Sequence, residues 1–198
     1  MNARMWLVVL ITLAALPQVF AEKTNSSKVV SSRPANWAVP VVRPGLPNCF
    51  QLTTNFYRGA HPTKQGMAVL KTMGIKTVIN LRTFHSDGDK LSGTGLKSER
   101  LKMEPWHASD DEVVHFLKIV GDTNNLPVFV HCERGADRTG TMCALYRIAF
   151  CGWSKAGAIR EMQEGGFGLN PTWQNLVSYL EHVDIEDIKR HAALIEKK

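Results

Sequence analysis

Residues 131–140 read His-Cys-Glu-Arg-Gly-Ala-Asp-Arg-Thr-Gly, placing a thiol, Cys132, ahead of a guanidinium, Arg138, with five residues between them. A β-branched run, Pro127 to Val130, precedes this segment, and a helical pattern from Thr139 to Phe150 follows it. A loop of this length between a strand and a helix can curl so that successive N–H groups converge on one anion. The helix adds unpaired donors and the positive end of its dipole. A phosphate dianion fits such a cradle, and a thiol at the same focus is favoured in its ionised, nucleophilic form. Arg138 contributes a planar fork of donors that can grip two equatorial oxygens of a transferring phosphoryl group, which a lysine cannot reproduce.

The reading therefore assigns Cys132 as nucleophile and Glu133, Arg134, Gly135, Ala136, Asp137, Arg138 and Thr139 as the phosphate-binding loop. Gly135 permits the tight turn, and Thr139 can donate a hydroxyl hydrogen bond toward the sulfur in a second step. Asp137 is expected to orient Arg138 or a neighbouring basic group, and Glu133 to face solvent. A plainer account makes Cys132 a buried thiol, Arg138 a capping charge and Gly135 a turn residue. It covers each residue singly but not their coincidence.

The elements that must position this loop read as alternating strands and helices. A strand pair is expected near Phe50 to Arg58, then a helix over Thr63 to Met73, with Thr63 as N-cap and Gly74 as stop. Thr77 to Leu81 is a β-branched run typical of a buried strand. Residues 83–100 read as a polar loop and Leu101 to Glu104 as a further strand. A helix then runs from about Asp110 to Val120. After the central loop come helices over Thr139 to Phe150, which reads as amphipathic, Ser154 to Glu164, and Pro171 to Ile188. The pattern predicts an α/β fold with a central, mostly parallel sheet flanked by helices, and the loop at a strand's C-terminal end.

The chain has 198 residues and 44% hydrophobic content, enough for one domain with a continuous core. Arg4, the apolar run Met5 to Ala15 and the small-residue ending Val19-Phe20-Ala21 read as a signal peptide over residues 1–21. The apolar run is shorter than the roughly 20 residues that span a bilayer, so no stable membrane insertion is expected after cleavage. The protein is expected to be exported, periplasmic or secreted, with an extended leader over 22–48 and the domain over 49–198. Pro34, Pro40, Pro44 and Pro47 keep helix out of that leader, and Trp37 is placed to pin it. The net charge of +6 falls to +5 without Arg4, and no basic block or zinc-finger spacing supports nucleic-acid binding. Cys49, Cys132, Cys143 and Cys151 cannot be paired from spacing. A bridge between Cys143 and Cys151 within one straight helix is geometrically excluded.

His131 before the cysteine and Thr139-Gly140 after the arginine make the loop resemble the signature of the protein tyrosine phosphatase superfamily, particularly its compact, dual-specificity-like bacterial members. Tyr57-Arg58-Gly59-Ala60, the run from Gly74 to Arg82, and Glu164-Gly165-Gly166-Phe167-Gly168 resemble segments of the same proteins, so the likeness extends from about Phe56 to Ile185. The resemblance implies a dual-specificity phosphatase fold and hydrolysis of phosphotyrosine, with phosphoserine and phosphothreonine as broader substrates. A cysteinyl-phosphate would form without metal or other cofactor. It also implies that His131 positions the loop by hydrogen bonding.

The family reaction needs a general acid on an upstream loop. Asp110 is the first candidate, Asp111 the second and His107 the third, although both aspartates lie closer to Cys132 than the family's usual spacing. Ser109 and Glu112 also form a capping-box pattern, which by itself accounts for acidic residues at a helix start. Trp106 could stack on an aromatic phosphoester or pack at the domain's edge. Two other readings stay open. One is an inositol-phosphate or phosphoinositide phosphatase, against which Glu133 and Asp137 argue. The other is a catalytically impaired phosphate-binding module.

Overall fold

The computed structural model describes residues 33–194, so the signal-peptide reading and the first part of the leader lie outside the described residues. Six strands form one sheet in the order β1-β2-β3-β6-β4-β5. They are β1 (Val39–Pro40), β2 (Phe50–Thr53), β3 (Phe56–Gly59), β4 (Thr77–Arg82), β5 (Lys97–Met103) and β6 (Val128–His131). The four strands from β3 to β5 are parallel, and β1 and β2 add an antiparallel edge. This is the mostly parallel α/β sheet that the strand and helix alternation predicts.

Alternation of side chains sorts the sheet's residues into two cores. Val78 and Phe129 point to one face, where Met67 and Leu70 of α1 (Lys64–Thr72) cover them. Ile79, Leu81, Val128 and Val130 point to the other, under α3 (Asp110–Gly121), α4 (Asp137–Cys151), α5 (Lys155–Glu164), α6 (Gln174–His182) and α7 (Ile185–His191). Covered on both faces, β4 and β6 are buried at every position, which is why apolar residues occur on both faces of each strand instead of alternating with exposed polar ones. Thr63 caps α1 by accepting from the Gly66 amide, and Gly74, at φ +82°, ends it in the left-handed conformation.

Four expectations change. The polar loop of 83–100 contains a helical turn, α2 (Gly88–Leu91), and the start of β5, whose pairing with β4 is set by tertiary contact. The single helix expected from Pro171 to Ile188 is two, because Asp184 accepts from the amides of Glu186 and Asp187 and starts α7 afresh. Helix α4 is not amphipathic: Thr139 to Leu145 are all buried, since the helix lies between the sheet and its neighbours. The leader joins the domain at Arg33, not at residue 49. Arg33 donates to the carbonyls of Ala38 (2.8 Å) and Gly165 (2.7 Å), Trp37 is buried as expected, and β1 pairs with β2. Pro40 is tolerated because β1 is an edge strand.

Candidate active site

The loop after β6 leaves the C-terminal ends of the parallel strands and enters α4, and every carbonyl along its turn is held from outside. His131 Nδ1 lies 3.1 Å from the Cys132 carbonyl. The His61 amide donates to Glu133 O at 3.1 Å, Asn48 Nδ2 to Arg134 O at 2.8 Å, and Arg58 Nη2 to Gly135 O at 2.6 Å. With four successive carbonyls turned outward, the amides between them face the opposite way. Among the described residues, none of the N–H groups from Glu133 to Arg138 donates to a protein acceptor. A run of unpaired amides at a helix start is an anion-binding concavity. Gly135 makes the turn at φ +69°, and a Cβ there would come within 2.4 Å of the Gly59 carbonyl group. Glycine is therefore required twice, for conformation and for space.

Cys132 is buried at the mouth of this turn. Arg138, one residue into α4, donates through Nη1 to Leu81 O (3.3 Å) and Met103 O (3.2 Å), the penultimate carbonyl of β4 and the last of β5. Those bonds use one nitrogen. Among the described residues the remaining donors of the fork have no partner. Beneath the loop, Arg58 is almost wholly buried and makes no ion pair among the described residues. Its guanidinium stacks 3.7 Å from the Phe167 ring centroid. A buried cation without a counter-charge favours an anion in the adjacent cradle.

The family profile described as "DSP-PTPase phosphatase fused to NAD+ Kinase" matches residues 35–170. The chain belongs to this dual-specificity protein tyrosine phosphatase family. It is 30% identical to the dual-specificity protein phosphatase TpbA of Pseudomonas aeruginosa, over 93% of this chain and 84% of that one. The solved structure of TpbA superposes with a TM-score of 0.72, covering 82% of this chain and 99% of the other. A TpbA variant in complex with pTyr superposes equally well. An inositol diphosphatase of Arabidopsis thaliana is 26% identical over 72% of this chain and 73% of its own.

Against this family frame, the positions expected around the phosphatase loop divide. Asp137 does not orient Arg138. It accepts from Arg134 Nη2 at 2.9 Å and from the Asn170 amide at 2.7 Å, which is the neighbouring-base alternative. Glu133 is exposed as expected, yet its carboxylate sits 2.9 Å from Arg82 Nε in an ion pair. Thr139 is fully buried, but its hydroxyl forms no hydrogen bond among the described residues, so the expected bond to sulfur is not made. Asp110 is not joined to the loop: its carboxylate accepts from the Tyr179 hydroxyl of α6 at 2.7 Å. Burial and that bond to Asp110 both push the Tyr179 phenol up. The capping box between Ser109 and Glu112 is complete and accounts for the acidic first turn, including Asp111. His107 donates its amide to Glu104 O, with no described contact to the loop. Trp106 is half exposed and leans on Trp173 at 6.3 Å, so it is not packed away at the domain's edge.

The loop's supports escaped the sequence reading. Arg58 carried a signal, a charged residue inside an otherwise strand-like run. Asn48, at φ +52°, and Asp87, in a stretch read as polar loop, carried none. The four cysteines are free, and burial pushes Cys49 and Cys143 up to about 11. No group of three His, Cys, Asp or Glu able to hold a metal occurs among the described residues.

Proposed function

We propose that the chain hydrolyses phosphotyrosine, and more broadly phosphoserine and phosphothreonine, through a cysteinyl-phosphate on Cys132. The observation that carries this reading is the loop itself, four carbonyls tied outward and the amides from Glu133 to Arg138 left unpaired around a buried thiol. The amides and the free donors of Arg138 take the equatorial oxygens, and the Cys132 thiolate attacks phosphorus in line with the leaving oxygen. Asp110 is the acid assigned to protonate that oxygen, and the same carboxylate then activates water against the phosphocysteine. The half-exposed Trp106 is available to stack on a phenyl ester. The signal peptide read over 1–21 supports an activity outside the cytoplasm, and a mature N-terminus at Glu22 in exported material tests that.

A second reading, turnover of an inositol diphosphate, is supported by the Arabidopsis relative's name and by Lys90 and His61 beside the loop. Measuring kcat/KM of the purified protein on a phosphotyrosine peptide and on an inositol diphosphate separates the two. The proposal expects the peptide to be preferred. Arg138→Lys should lose at least about 100-fold on the preferred substrate, since a point charge replaces the fork. Preference for the inositol diphosphate replaces the first reading with the second.

A further inference from the structure

Behind the nucleophile lies a buried polar cluster that the reaction as described does not use. His131 and Asp87 both have wholly buried side chains, and His131 Nε2 lies 2.8 Å from Asp87 Oδ2. The other nitrogen of the same ring, Nδ1, faces the Cys132 carbonyl. A carbonyl can only accept, and so can an ionised carboxylate, so both ring nitrogens must carry protons. We propose that Asp87 is a positioning residue of the phosphatase site, holding His131 as an imidazolium directly behind Cys132 so that the ring's charge stabilises the anionic thiol and bound phosphate. The proposal rests on Cys132 being the nucleophile.

The surroundings of the pair decide where the charge sits. A second imidazole, His61, stacks on His131 with centroids 5.6 Å apart and planes 18° apart, and two charged rings would repel in that arrangement. His61 Nε2 lies 2.8 Å from the Lys90 ammonium, which can only donate, so that nitrogen must accept and His61 is neutral. Burial, with Arg82, Lys90 and His131 adding to it and Asp87 opposing, pushes His61 down to about 4. Asp87 Oδ1, 3.3 Å from the same nitrogen, is consequently left without a hydrogen bond. Burial works against the Asp87 carboxylate, yet the hydrogen bond from His131 and the charges of His131 and Arg82 outweigh it and keep the group below its ordinary range. The charged and titratable groups around His131 are thus Asp87 just before α2, Lys90 within α2, Arg82 from β4, His61 after β3, and Cys132 itself. Apart from the Cys132 thiolate, only Asp87 among them is negative. A carboxylate from a different segment fixes the protonation of the residue before the nucleophile, which loop amides alone do not do.

The test is 15N NMR of histidine-labelled protein near pH 7, with the His131 signals identified by their loss in His131→Gln. Two protonated nitrogens on His131 are expected in the wild type, and one in the isosteric Asp87→Asn. Alkylation of Cys132 by iodoacetamide at about pH 6 should slow roughly tenfold in Asp87→Asn, because less thiolate is present. A singly protonated His131 in the wild type overturns the proposal, whether or not the variant folds. So does an unchanged alkylation rate in a folded Asp87→Asn. Neither readout needs turnover, so a failure here is distinguishable from a failure of the phosphatase reading, which phosphocysteine trapping tests.

Discussion

Two guanidiniums frame the loop and do different work. Arg138 is partly satisfied by strand-end carbonyls and keeps donors for the phosphoryl oxygens, whereas Arg58 is spent on the Gly135 carbonyl and the Phe167 ring. The first is left free to hold a ligand and the second holds the loop. Asp110 can be judged at the same scale. If it is the acid, Asp110→Asn should lower kcat by about 10²- to 10⁴-fold on alkyl phosphates and far less on an aryl phosphate with a good leaving group. Equal, small losses on both would move the acid elsewhere. The turn from Cys132 to Thr139 was legible as a strand-to-helix loop because its residues are contiguous, whereas the contacts of Asp137 and Thr139 were not. Asp87, Arg58, His61 and Asn48 were not, because three separate segments reach the loop only after the parallel strands align.

Helices and strands with their own caps and periodicity were legible along the chain: Thr63 and Gly74 bound α1, and Ser109 with Glu112 starts α3. Elements defined by a neighbour were not. β5 begins four residues before the expected strand because β4 supplies its partners, and the segment after Arg33 is held by α5. The tie is Glu161, whose carboxylate accepts from the Ala38 amide at 2.6 Å and from Arg147 Nε and Nη2 at 2.9 Å, with Arg147 almost wholly buried. Removing one partner strands a buried charge. Glu161→Ala should therefore cost about 3–5 kcal/mol in urea unfolding. It should also raise amide exchange at Ala38 above that of the β4 amides. Loss of stability without faster exchange at Ala38 would place the effect in α4 and α5 alone.

For the whole molecule, the buried polar cluster links stability to pH. His61 is held at about 4 against an ordinary value of 6.5, so the unfolded chain takes up its proton first. Stability is complete above about pH 6.5 and falls as the pH drops toward 4, by at most about 3 kcal/mol from this group. Asp87, also held low, adds a loss in the same direction at more acid pH. Urea midpoints measured from pH 7 to 4 should show this slope, and His61→Asn should flatten its upper part. A midpoint independent of pH over that range would contradict the assignment.

The account's central claim is that Cys132 carries the phosphoryl group. The direct measurement is acid quench of the metal-free, reduced protein within a single turnover of an aryl phosphate, followed by peptide mass analysis, with Cys132→Ser as control. The account predicts one phosphoryl group on the peptide containing Cys132, and neither adduct nor turnover in the serine variant. Turnover that survives in Cys132→Ser, or a folded wild type that binds phosphate and never forms the adduct, would contradict it.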